Sequence, residues 1–108
     1  MIQVRVRRGS EGEITAISAH GHANYAPAGE DIVCAAVTNL FATIYSALTD
    51  LLDVDVDLMM AEGELLIEVH DTAVIHQEQV QLLLRTCLLG LEQLSLSYEA
   101  YVQVQEEK

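Results

Sequence analysis

Asp31–Leu52, DIVCAAVTNLFATIYSALTDLL, is the stretch from which the fold can be read. Val37, Leu40, Phe41, Ile44, Leu48, Leu51 and Leu52 recur at three- and four-residue steps, laying one apolar stripe along about five helical turns. Asp31 is a good N-cap, because its carboxylate can accept hydrogen bonds from the free amides of the first turn. Ala35, Ala36, Ala42 and Ala47 leave room for close packing.

Upstream of this helix, Ile2, Val4 and Val6 alternate with Gln3, Arg5 and Arg7, the period-2 pattern of a half-buried strand. Gly9-Ser10-Glu11-Gly12 reads as a turn and Glu13 to about His20 as a second strand, so a hairpin is expected. The segment from there to Asp31 holds Gly21, Asn24, Pro27 and Gly29 and has no period, which makes it the place to look for function. Downstream, Val54, Val56, Leu58 and Met60 alternate with Asp53, Asp55 and Asp57 as a third strand, and Ala61–Gly63 turns into a fourth, Glu64–His70. Asp71 or Thr72 is expected to cap a second helix with a stripe of Val80, Leu83, Leu84, Cys87, Leu88, Leu91 and Leu94. Tyr98, Ala100, Val102 and Val104 form a last strand.

The order is ββαββαβ. Several strands keep a polar face, so the helices should cover one side of the sheet. The expected architecture is a two-layer α+β domain spanning 1–108, with a mixed or antiparallel sheet of about five strands and two helices. The leucine-rich second helix has more apolar surface than one small sheet face needs, which points to a homodimer.

Seventeen acidic residues against five basic ones leave a net charge of −12. That excess argues against direct binding of DNA or RNA phosphates, and it suits a cationic partner or plain solubility. Apolar residues make up 51% of the chain, enough for a core and too many for disorder. No apolar run approaches the ~20 residues of a membrane span, and Met1–Arg8 reads as a strand, not a signal peptide. A cytoplasmic protein is expected. Cys34 and Cys87 show no C-x-x-C pattern, and cytosolic thiols are normally kept reduced.

Cys34 lies in the first turn of the first helix, where unpaired N–H groups and roughly +0.5 of a charge favour thiolate over thiol. Glu30 and Asp31 act in the opposite sense, so a cationic partner is needed. His22, twelve residues upstream, is the obvious candidate. The chemistry would be attack of thiolate on a peptide carbonyl, with the imidazolium protonating the leaving amine. Helix-start amides, that of Cys34 among them, would steady the oxyanion. The plainer reading makes Cys34 a small filler and His22 a turn residue.

Gly21-His22-Ala23, followed by Gly29-Glu30-Asp31-Ile32-Val33-Cys34-Ala35-Ala36-Val37, resembles the signature of the ribosomal-processing cysteine proteases, the Prp family. The resemblance extends to the chain length and element order. It implies a cytoplasmic bacterial endopeptidase, homodimeric, that removes a short N-terminal extension from ribosomal protein L27. Some phage scaffold and capsid proteins with a like sequence are also cut. By position in the motif, Cys34 is the nucleophile and His22 the base. Thr38 stands where the family usually has Ser, which preserves a hydroxyl one turn after Cys34. Asp31 could orient His22 or cap the helix, and the N-cap preference favours capping. Gly21 and Gly29 could be hinges of a loop that closes over substrate, or could only permit tight turns.

The acidic balance would then speed encounter with a basic ribosomal protein. Eight carboxylates and no Lys or Arg lie between Asp50 and Asp71. The alternative to a protease is a non-catalytic acidic module that binds a basic ribosomal protein or assembly factor. No cofactor and no metal is expected. Asp53, Asp55, Asp57 and Glu64 match EF-hand spacing, but Leu58 stands where the sharp turn needs glycine. His20, His22, Cys34, His70, His76 and Cys87 lack the compact spacing of a zinc site. Cys87 should be inert packing, and Tyr98 and Tyr101 should point to opposite sides of the last strand.

Overall fold

The computed structural model describes residues 1–27 and 29–107. Its elements run β1 (Ile2–Arg8), β2 (Ile14–His20), α1 (Ile32–Ser46), β3 (Asp57–Ala61), β4 (Glu64–Glu68), α2 (Glu78–Ser97) and β5 (Val102–Glu107). The sheet is mixed, in the order β3-β4-β2-β1-β5. β5 runs parallel to β1 and every other pair is antiparallel. The expected element order and two-layer α+β architecture are thus present.

Period-2 alternation sorts the strands. Ile2, Val4 and Val6 are buried while Gln3, Arg5 and Arg7 are exposed. Val6, Ile17 and Ile67 stand side by side across three strands and all are fully buried. Onto this face α1 lays Val33, Val37, Phe41 and Ile44, and α2 lays Val80, Leu84, Cys87, Leu88 and Leu91. Gln81 joins the layers by polar bonds: its amide accepts from the Ile14 amide at 2.9 Å and donates to the carbonyls of Ile14 and Ile75.

Several boundaries differ from the expectation, among them the end of β4, which stops at Glu68 and not at His70. β3 begins at Asp57, not Asp53, because Asp53 takes a positive φ; Val54 and Val56 are buried by packing without strand pairing. α2 begins at Glu78, seven residues after Asp71, whose carboxylate instead accepts from the Ala73 amide at 2.8 Å and closes a turn. β5 begins at Val102, so Tyr98 and Tyr101 lie in the preceding turn, not on opposite sides of a strand. Both pack their rings on Tyr25, with centroids 5.7 and 5.1 Å away. Finally, α1 continues into a π-helical turn, Ala47–Leu51. Together the 20 residues Ile32–Leu51 are long and apolar enough to cross a membrane by length and composition, contrary to the expectation. The buried stripe, Val33, Val37, Phe41, Ile44 and Leu48, belongs to the core under the sheet, while Ile32 and Leu51 are exposed.

Candidate active site

β2 ends at His20, which pairs with Glu64 at the start of β4, so the chain leaves the sheet beside the β3–β4 turn. The Gly21 amide donates to the Gly63 carbonyl at 2.9 Å, and His22 follows at once. Gly21 has φ +101, and a Cβ there would meet the Met1 carbonyl oxygen at 2.4 Å, so only glycine fits. Ala23 is buried and pins the next step of the loop. Tyr25, two residues on, is held by Tyr98 and Tyr101, an anchor that periodicity could not reveal.

The loop returns to the helix through Asp31. This residue is extended (φ −84, ψ 101), and its Oδ1 accepts from the amides of Val33 and Cys34, each at 3.0 Å. Its Oδ2 accepts from the amides of Tyr25 at 3.0 Å and Ala26 at 3.4 Å. One carboxylate therefore caps α1 and ties it to the loop. Partial burial alone would raise the pKa of this carboxyl. The amides of Cys34, Tyr25, Ala26 and Val33 outweigh that and hold it below the usual carboxylate range.

Asp31→Ala should therefore cost about 1 kcal/mol of stability at neutral pH, the usual worth of a cap. Because the folded-state pKa is depressed, this stabilisation is present above the unfolded carboxylate pKa of ~4 and is lost as pH falls through the folded value. Urea titrations at pH 7 and pH 3 should show the gap between wild type and variant narrowing at the lower pH. A gap of the same size at both would refute the assignment.

An open cleft of about 900 Å³ runs between the loop, α1 and the β3–β4 turn. Cys34 and His22 both line it, with Asp31, Gly21 and Gly29 also on its wall. Thr38 contributes its side one turn below Cys34. Glu62 and Glu64 form an acidic rim, and no Lys or Arg lines the cleft among the described residues. Cys34 is partly exposed. Among the described residues the His22 ring has no hydrogen-bond or ion-pair partner, so imidazole and thiol share the cleft without being bonded.

One expectation is corrected here. The Cys34 amide, expected among the oxyanion donors, is taken by Asp31, as is that of Val33. Asp31 reaches them first because an N-cap carboxylate sits directly over the first-turn amides.

The other cysteine behaves differently. Cys87 is fully buried in α2, and burial pushes its thiol up to about 12. Folding also brings together two groups that chain spacing did not suggest, Asp57, Glu68 and His70, and Glu11, Glu13 and His76. Neither lines the cleft. In the first, His70 Nε2 contacts Asp57 at 2.7 Å, and Glu68 is shared with Arg7 at 3.2 Å. Asp57 and Glu64 stand at opposite ends of the β3–β4 hairpin, which rules out a shared calcium loop.

A ββαββαβ sheet with a partly exposed thiol at a helix start, opening on the cleft that a loop histidine lines, is the frame of a cysteine-type peptidase. The model of the family described as Cysteine protease Prp matches residues 1–103, and the chain belongs to that family. The structure is similar to the essential ribosomal processing protease Prp from S. aureus in complex with a covalently linked product peptide. Identity there is 26%, coverage is 99% of this chain and 100% of that one, and the TM-score is 0.89. The same S. aureus protease in complex with a substrate peptide matches at 26% identity, the same coverage and TM-score 0.84. SMU.848 from Streptococcus mutans matches at 34% identity over 98% of this chain and 93% of that one, with TM-score 0.86. Comparison with curated proteins gave no match.

Proposed function

We propose that this chain is a cytoplasmic endopeptidase that removes the short N-terminal extension of ribosomal protein L27, with Cys34 as nucleophile and His22 as acid–base partner. The observation that carries the reading is that these two residues, on separate elements, line one cleft. The Cys34 thiolate attacks the scissile carbonyl, and the amine leaves with the proton of the His22 imidazolium. Water then adds to the thioester, giving its proton to His22, and the acid departs as the thiolate reforms. The covalently linked product peptide of the S. aureus relative is in keeping with such a thioester route.

Charge supports the choice of substrate. The acidic cleft rim and the net charge of −12 attract a basic ribosomal protein and repel phosphate, so no nucleic acid is proposed as a direct partner. Gly21 and Gly29, both at positive φ, bracket the loop as hinges that let it close over substrate. Incubation with the full-length precursor, followed by mass spectrometry, should give two fragments from a single cut at the end of the extension. An intact precursor after prolonged incubation would overturn the assignment.

The working unit in this reading is a homodimer. Leu82, Leu89 and Leu96 recur every seven residues on α2 and are 59%, 57% and 83% exposed, an apolar line that a second copy would cover. Leu89→Glu should shift the sedimenting species from dimer to monomer while leaving the helical circular dichroism unchanged. A wild-type chain that sediments as a monomer would refute the line's role.

A further inference from the structure

Asp31 is fully occupied by backbone amides, which leaves the question of what orients the His22 ring. A backbone position beside that ring is Gly63. A Cβ built on Gly63 would lie 3.0 Å from His22 Nε2, 3.5 Å from Cε1 and 3.7 Å from Cδ2. The Nε2 end of the imidazole therefore rests against the bare Cα of this glycine. The same residue holds the backbone next to His22, through its carbonyl and the Gly21 amide at 2.9 Å. Two constraints thus meet at one position: φ is +76, and the space that a side chain would fill is already taken by the ring.

We infer that Gly63 is a positioning residue for His22, the β3–β4 turn seating the imidazole in place of an orienting carboxylate; this rests on the reading of His22 as the acid–base partner. A methyl group at residue 63 displaces the ring by a few tenths of an ångström. Since a misplacement of ~1 Å can cost ~10²-fold in rate, the expected loss is roughly 10-fold.

The test uses Gly63→Ala and Gly63→Asn, the second because asparagine tolerates positive φ best among residues with a Cβ. Gly12→Ala is the control, at φ +83 in the β1–β2 turn with nothing within 4 Å of the added carbon. Both Gly63 variants should lose roughly 10-fold in kcat/KM, and the rising limb of the Cys34 alkylation pH profile should move. Gly12→Ala should keep both. In a His22→Ala background, Gly63→Ala should change the alkylation profile no further.

Wild-type kcat/KM and profile in Gly63→Asn would overturn the proposal, as would a loss that persists undiminished without the imidazole. An independent check is a proton NMR contact between the His22 ring and the Gly63 α-protons, whose absence in the wild type overturns the seat even if the variants do not fold. Where His22→Ala shifts the profile and the Gly63 variants do not, only the seat fails. Where His22→Ala itself shifts nothing, the acid–base assignment fails with it.

Discussion

A limiting dose of iodoacetamide at neutral pH should label Cys34 and leave Cys87 untouched, and Cys34→Ala should abolish cleavage without unfolding the chain. Alkylation proceeds through the thiolate, so both ionisation and access matter. Cys87 fails on both counts. Its side chain is fully buried, and with its thiol pushed up to about 12 the ionised fraction at pH 7 is on the order of 10⁻⁵. Cys34 is partly exposed at the wall of an open cleft. Peptide mapping after partial reaction should therefore find a single adduct in the α1 peptide.

For Cys34→Ala, the expected loss in kcat is on the order of 10⁴-fold or more, the scale on which deleting a nucleophile collapses catalysis. Stability should move by no more than about 0.5 kcal/mol, since the side chain fills no sealed part of the core. Equal, slow labelling of both thiols would point to the non-catalytic acidic module. Cleavage that survives the substitution would do the same.

His22→Ala should slow turnover by about 10²–10⁴-fold, the usual contribution of a general acid–base partner. The structure sharpens this expectation. Two first-turn amides that would otherwise favour the thiolate, those of Val33 and Cys34, are already bonded to Asp31, whose own negative charge disfavours a second anion nearby. In the proposed mechanism, the charge that favours a thiolate would therefore come largely from the imidazolium. Removing it should shift the pH profile of Cys34 alkylation upward, because a cation beside a thiolate favours the ionised form. A profile that stayed in place would show that His22 is not the partner.

The α1 segment was legible because what makes it a helix acts over three or four residues. Its Asp31 cap and most of its apolar stripe are local and stand as read, but Leu51, at the end of that stripe, is 77% exposed. The errors share a cause as well. Alternation at Val54 and Val56 correctly marks burial, but burial is not pairing, and the strand waits until the left-handed Asp53 has turned the chain. Asp71 makes the side-chain-to-amide bond of a cap, yet the same bond closes a simple turn, and nothing within a few residues distinguishes the two. The Tyr25, Tyr98 and Tyr101 cluster escaped notice because its members come from two turns that meet only across the fold.

The amino-acid order alone determined the run of elements, the two-layer α+β class, and the pair Cys34 and His22 as the residues to test. Periodicity, capping and a linear motif are all written within short distances along the chain. Only the tertiary structure decided which amides Asp31 engages besides those of its own helix, that Glu62 and Glu64 rim the cleft, and that Gly63, forty-one residues beyond His22, lies beneath its ring. Those contacts depend on which strands pair and in what register, and pairing partners far apart in the chain leave no period by which to find one another.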